Sequence, residues 1–255
     1  MTRRPPACML AVVVTALMAP ASHAATTLAP EALACQRTIG KGGQKYKKAY
    51  LNAWQKCLDD DLSGKGCDSA ARDASIVAAQ TSFGVAVAKK CSALLLFGAP
   101  RYGVGFQQTC DLAASSIDAD EAQCQGMSVT NEDSLVTCLI CWKTAALNEF
   151  LETVNACHAG SFPPGTGLAC GTPPPSCPAD AAGKSCERTI AKAGTGLFLA
   201  REKAIESCVA AVRAGKIPGP CPDAAAQKKI DAAEAKKTAR VQNCTALPPW
   251  WDVCP

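Results

Sequence analysis

From Ile39 the apolar side chains return at spacings built from threes and fours: Tyr46, Tyr50, Ala53, Trp54 and Cys57, with lysines and other polar residues between them. That is the period of a helix with one buried face. Ile76, Ala79, Phe83, Val87 and Cys91 repeat it, as do Ile190, Leu197, Ala204, Ile205 and Cys208. Leu135, Cys138, Leu139, Trp142, Ala146, Phe150, Val154 and Cys157 predict a longer amphipathic helix, opened by the capping stretch Thr130-Asn131-Glu132-Asp133. Asp68 and Ser69, and later Asp223, offer capping side chains at two further helix starts. Between the helices, "DDDLSGKG" and "RAGKIPGP" carry the glycine, proline and acidic residues of turns. β-Branched and aromatic residues are sparse and no run alternates cleanly, so strands find little support and the fold class is all-α.

The pattern occurs twice. Cys35 to Cys57 aligns without a gap to Cys186 to Cys208, with nine of 23 positions identical: Cys35, Arg37, Thr38, Ile39, Lys41, Gly43, Ala49, Ala53 and Cys57. The echo continues downstream, where Gly64, Lys65, Cys67 and Cys91 match Gly215, Lys216, Cys221 and Cys244. This reads as an internal duplication with a truncated second copy.

Cysteines mark the ends of the helical intervals. A helix of about 22 residues is about 33 Å long, so the cysteines at its two ends cannot bond to each other. In an antiparallel hairpin the start of one helix lies beside the end of the next. The expected pairs are therefore Cys35–Cys91, Cys57–Cys67, Cys186–Cys244 and Cys208–Cys221. Such a hairpin, with a disulfide at each end, resembles in architecture the coiled-coil-helix-coiled-coil-helix proteins. Their nine-residue cysteine spacing is absent here, so no function is carried over from them. Ala32-Leu33-Ala34-Cys35 imitates a lipidation signal, but the internal counterpart Cys186 makes Cys35 a staple.

Residues 1–24 have the layout of a bacterial-type secretory signal: Arg3 and Arg4, an apolar run from Ala7 to Ala19, and the small-residue site Ser22-His23-Ala24. Cleavage is expected near Ala24, by the general secretory route rather than the twin-arginine one, because Pro5 and Pro6 stand where the latter has apolar residues. The apolar run is too short to span a bilayer, and no membrane span follows it. The expected order is then an N-terminal extension (25–34), a Cys-rich helical module (35–158), a Gly/Pro-rich linker (159–185) and a second Cys-rich hairpin module (186–255).

Composition agrees with export. Losing Cys8 with the signal leaves 17 − 1 = 16 cysteines, an even number that suits complete pairing in an oxidising compartment, secreted or periplasmic. The net charge becomes 24 − 22 = +2, since only Arg3 and Arg4 are lost from 26 basic residues. No nucleic-acid partner is expected from so weak a field. Lys41, Lys45, Lys47 and Lys48 read as one solvated helix face.

Candidate chemistry is thin. Cys138-Leu139-Ile140-Cys141 has redox spacing but falls inside a predicted helix, away from the strand-to-helix turn that lowers a thiol pKa. Two separate staples, to Cys110 and Cys124, fit better. Trp142 stands where covalent haem would need a histidine. Cys138, Cys141, Cys157 and His158 form the alternative metal set, for Zn or Cu(I). His158 is the sole histidine after the signal, which leaves hydrolytic catalysis little to work with. Asp59 to Asp61 and Asp118 with Asp120 read as solvated turns, and no calcium loop or phosphate loop is present. Trp250 and Trp251 cap the second hairpin or, if exposed, form a binding patch. Cys254 corresponds to Cys110, while Cys170 and Cys177 tie down the linker. No cofactor and no catalytic residue is expected. The function reading is an exported, non-enzymatic binding or structural protein with a protein or surface partner. The alternatives are a thiol-based metal protein and a secreted inhibitor or effector.

Overall fold

A computed structural model describes residues 28–98, 104–111, 124–155, 180–242 and 244. Among these there are six helices and no strand: α1 Pro30–Leu62, α2 Ser69–Lys90, α3 Ala93–Phe97, α4 Glu132–Val154, α5 Ala181–Arg213 and α6 Ala224–Val241. An isolated bridge joins Thr109 and Ser128. The signal-like segment, residues 159–179 of the stretch read as linker, Asp118, Asp120, Cys157, His158, Cys170, Cys177, Trp250, Trp251 and Cys254 lie outside the described residues.

Side-chain caps start most of the longer helices. Asp68 accepts from the Ala71 amide, Asp180 from Gly183 and Asp223 from Ala226. At α4, Asn131 and Ser134 form a reciprocal capping box. α1 starts instead with Pro30 in its first turn, where the missing N–H costs nothing.

Both long helices have 33 residues and begin earlier than the apolar period implies. α1 takes in the second half of the stretch read as an extension, from Pro30, and α5 begins at Ala181, inside the stretch read as a linker. The reason is local: Pro30 and Glu31 make a good first turn, as does the Asp180 cap, before any cysteine is reached. Asp59 to Asp61 likewise belong to the last turn of α1 rather than to the connection, which is Ser63–Asp68 with positive φ at Gly64 and Gly66.

α1 and α2 are antiparallel, with Cys35 next to Cys91 at one end and Cys57 next to Cys67 at the other. α5 and α6 are arranged likewise, through Cys186 with Cys244 and Cys208 with Cys221. The two pairs meet through their long helices, which also run antiparallel: Gly40 lies by Glu206, Lys47 by Glu202 and Asp59 by Lys192. α4 covers this seam, parallel to α1 and antiparallel to α5. Its Lys143 Cε would lie 2.8 Å from a Cβ on Gly43, and Val154 Cγ1 the same distance from one on Gly194. Gly43 and Gly194 occupy aligned positions in the stretches beginning at Cys35 and Cys186, and at both the absent side chain lets α4 approach closely.

The core lies between α1, α2 and α4. Tyr46, Leu51, Phe83, Leu96, Leu135, Leu147 and Leu151 are fully buried there. Each such large apolar side chain contributes roughly 1.5–3 kcal/mol. The α5–α6 pair has a much smaller cluster of its own: Ala204, Cys208, Cys221, Ala226 and Ile230.

Candidate functional site

Cysteines form the most developed constellation. Six pairs lie at disulfide distance, with Cα–Cα separations of 4.5–5.8 Å. Four are at the hairpin ends. The other two tie α4 to the segment before it, Cys110 with Cys138 and Cys124 with Cys141. The Cys138–Cys141 motif sits within the first half of α4, and its two sulfurs point to different partners. Trp142 Nε1 donates to Cys110 Sγ at 3.1 Å, so this indole covers one of these pairs. With Cys138 and Cys141 so placed, the structure brings neither of them toward the other in a shared ligand set. No cluster of histidine, cysteine and carboxylate suited to a metal occurs among the described residues.

The second constellation is a buried polar junction where α1, α4 and α5 meet. Lys47 is 4% exposed and forms ion pairs with Glu202 and Glu206 of α5. This corrects the reading of Lys41, Lys45, Lys47 and Lys48 as a single solvated face. Lys41, Lys45 and Lys48 are exposed, but Lys47 falls on the side of α1 that α5 covers, and its charge is met there. Lys143 of α4 adds a second amine. Desolvation, and then the neighbouring Lys47, lower its pKa to about 8, opposed by Glu206 and Glu202. Glu206 is raised by burial and drawn back by the two lysines.

Neutral hydrogen bonds continue the junction along α1. Tyr46 Oη and Thr144 Oγ1 are 2.7 Å apart, and Tyr50 Oη donates to Asn148 Oδ1. Burial raises both phenols, Tyr50 to about 12. At the far end of the seam, Asp59 pairs with Lys192 at 2.7 Å, and Arg188 donates to the Asp59 carbonyl and to Ser63 Oγ. Asp59 is thus an interhelix anchor, contrary to the reading of Asp59 to Asp61 as a solvated turn, because α5 brings Arg188 and Lys192 against the last turn of α1.

The junction is half-buried: Lys47 is covered, while the Glu206 side chain keeps 35% of its surface exposed. Lys47 faces Glu202 and Glu206, and Asp59 faces Lys192, across helix interfaces, while Lys143 packs against Gly43 with Lys47 as its strongest charged neighbour. The arrangement orients helices and neutralises buried charge.

Glu187 stands outside this network. It is 0% exposed, neither carboxylate oxygen has a hydrogen-bond partner among the described residues, and burial raises its pKa to about 7. Nothing in the sequence singled it out, since it follows Cys186 where an exposed helix residue would be unremarkable. The signal available was the alignment with Gln36, an uncharged residue at the same place after Cys35.

No helix among the described residues is long and apolar enough to cross a membrane. No protein-family model, no curated protein and no solved structure matches this chain.

Proposed function

We propose that this is an exported, disulfide-rich helical protein with a non-enzymatic binding or structural role, built from a duplicated hairpin whose second copy is truncated. The observation that carries the reading is that every cysteine among the described residues lies at disulfide distance from another. Such pairing belongs to oxidising compartments. The duplication is supported by α1 and α5 having equal length and by each carrying its two aligned cysteines toward a shorter, antiparallel helix. A non-enzymatic role is favoured because the buried ionisable groups at the α1–α4–α5 junction are engaged with one another.

Intact mass of the exported protein, before and after alkylation without reduction, tests this. A chain beginning at Ala25, lighter by sixteen hydrogens and inert to the alkylating agent, is the expected result for its 16 cysteines. Alkylation at Cys138, Cys141 or Cys157, or retained Zn or Cu, would replace the scaffold reading with the thiol-metal one. A lipid-sized increment on Cys35 would overturn the role of that residue as a staple.

A further inference from the structure

The α1–α5 seam has two ends, and the aligned stretches of the two long helices make them comparable. Arg37, Thr38, Ile39 and Lys41 of α1 correspond to Arg188, Thr189, Ile190 and Lys192 of α5. At one end Arg188 and Lys192 close on the last turn of α1. Lys192 Nζ lies 2.7 Å from one Asp59 carboxylate oxygen and Arg188 Nε 3.8 Å from the other, while Arg188 also donates to the Asp59 carbonyl and to Ser63 Oγ. At the other end Arg37 and Lys41 stand beside the last two turns of α5, because Gly40 lies by Glu206 and Gln36 accepts from Arg213. Ala210 follows Glu206 by four residues and precedes Arg213 by three, so it shares their face of α5. It is the residue aligned with Asp59.

At this second end the carboxylate is missing. Asp59-Asp60-Asp61-Leu62 aligns with Ala210-Ala211-Val212-Arg213, so three acids give way to apolar residues and a further cation is added. Arg37, Lys41 and Arg213 are exposed, and no ion pair joins them to a carboxylate among the described residues. Glu206, the acid on this part of α5, is held by Lys47 at 3.7 Å. One end of the seam is a filled carboxylate clamp, and the other repeats its cations without the anion. We propose that Arg37, Lys41 and Arg213 form an open clamp that docks an acidic segment of a partner protein, as Arg188 and Lys192 hold Asp59. The proposal rests on the duplication proposed above, which makes the two ends equivalent, and gives the binding role a surface and a partner chemistry. A run of side-chain carboxylates fits better than a small acid, because Arg37 and Lys41 stand about 6 Å apart along α1 and Arg213 is on the facing helix. Nucleic acid fits less well, since neither stretch, 37–41 or 206–213, has an aromatic side chain on which a base could stack.

The probe is the hexapeptide DDDLSG, which carries the sequence of residues 59–64, added to the full oxidised protein labelled with 15N. Amide shifts report both affinity and place. The expected result at low salt is saturable movement of amides near 37–41 and 210–214 with a dissociation constant of about 1 mM, weakened roughly tenfold by about 150 mM NaCl. The peptide NNNLSG, which has no charge to offer, should move none of them. Ala210→Asp puts the missing carboxylate into the clamp and is expected to weaken DDDLSG at least about tenfold, whereas Ala210→Asn, of the same shape without the charge, leaves it within about twofold. The Asn variant also controls for folding. A DDDLSG peptide that moves no amide at low salt overturns the docking. If Ala210→Asp is then still coupled to Lys41→Ala in a double-mutant cycle of urea unfolding, the two ends are equivalent and the docking alone fails. Binding that Ala210→Asp leaves unchanged overturns the equivalence as well. Displacement of the peptide by inorganic phosphate at the same concentration would make this a general anion site and overturn the assignment to an acidic segment.

Discussion

The α1–α2 and α5–α6 pairs use the same long helix, the same cysteine positions and the same capping aspartate, yet they hold together differently. The first pair buries Tyr46, Tyr50, Trp54 and Phe83 in a shared core with α4. Tyr46, Tyr50 and Trp54 form a ladder of ring contacts along α1, and the Arg72 guanidinium lies 4.0 Å from the Trp54 ring. The positions aligned with those three aromatics in α5 are Leu197, Arg201 and Ile205. What remains for α6 is a cluster of small residues around Ile230. Equal covalent frames thus enclose unequal cores, and the second pair depends more on its cysteines and on docking against α1 and α4. Apolar area removed from water, rather than helix length, sets that dependence.

Removing equivalent staples should expose the difference most strongly. Cys35–Cys91 and Cys186–Cys244 close loops of nearly equal size, with sequence separations of 56 and 58. Chain entropy assigns each about 4 kcal/mol. Replacing both cysteines of the first pair with serine is expected to lower global stability by that amount while α2 stays packed through Phe83 and Val87. The same change at Cys186 and Cys244 is expected to release α6. Hydrogen exchange of amides 224–241 would then approach the unprotected rate, whereas amides 69–90 in the first variant keep their protection. Equal protection of α2 and α6 in the two variants would show that the cores, not the staples, are alike.

The pairs next differ at the residue after their first cysteine. Gln36, with its amide oxygen turned toward Arg213, accepts from Arg213 Nε at 3.0 Å. The position aligned with Arg213 in α1 is Leu62, so the matching contact offers Glu187 no donor. Its carboxyl therefore titrates at about 7 in the folded protein, above its ordinary 4.5. Below pH 4.5 the group is protonated in both states and has no effect. As pH rises through 4.5 the unfolded chain ionises first, and stability falls until the folded pKa near 7 is passed. The loss above that point is about 3 kcal/mol. Glu187→Gln, which installs the residue aligned with it in α1, should match the parent at pH 4 and exceed it by that amount at pH 8 in urea unfolding. A constant difference between pH 4 and pH 8 would mean that Glu187 is solvated.

How much of this was legible in the sequence follows from the physics of each feature. All-α character is carried by the 3.6-residue period, and the helix starts at Asp68, Asn131 and Asp223 by local capping chemistry. Both signals are written in neighbouring residues. Lys47 and Asp59 were misread because charge alone reports solvation only when no other element arrives, and α5 arrives from 129–155 residues away. The docking of the two pairs across one seam had no local signal, since Gly43 and Gly194 become contacts only once α4 lies over both. Of the candidate sites, Cys138 and Cys141 were legible as helical cysteines stapled to Cys110 and Cys124, because a mid-helix position disfavours the redox reading, while the cover of Trp142 over Cys110 was not. Glu187 was invisible because burial is a property of the assembled interface.

Gly42 offers a smaller contrast. The Phe83 ring occupies the place of a Cβ on Gly42, while the aligned residue in α5 is the buried Ala193. The first pair has an aromatic ring where the second has room for a methyl. Gly42→Ala should therefore force Phe83 aside and cost roughly 1–3 kcal/mol, partly offset by the better helix propensity of alanine. Combining it with Phe83→Leu should recover part of the loss in a double-mutant cycle, since the two sites share one contact. Purely additive costs would mean that the ring has space to move.

The helix caps make the finest comparison, because here the chemistry is identical and only the context differs. Asp68 accepts from the Ala71 amide at 2.9 Å, and Asp223 from Ala226 at 2.8 Å. Replacing either with alanine removes one acceptor from the first helical turn, a change of about 1 kcal/mol. In α2 that turn lies next to Cys67 and is followed by a helix anchored at Phe83 and Val87, so Asp68→Ala should appear as a small shift of the global unfolding midpoint. In α6 the first turn bears Ala226, one of the two buried residues of that helix. Asp223→Ala should therefore act locally, with faster exchange of the amides from 224 to 228 and little change in the midpoint. If both substitutions move only the midpoint, α6 unfolds together with the rest of the molecule and the two pairs form one cooperative unit despite their unequal cores.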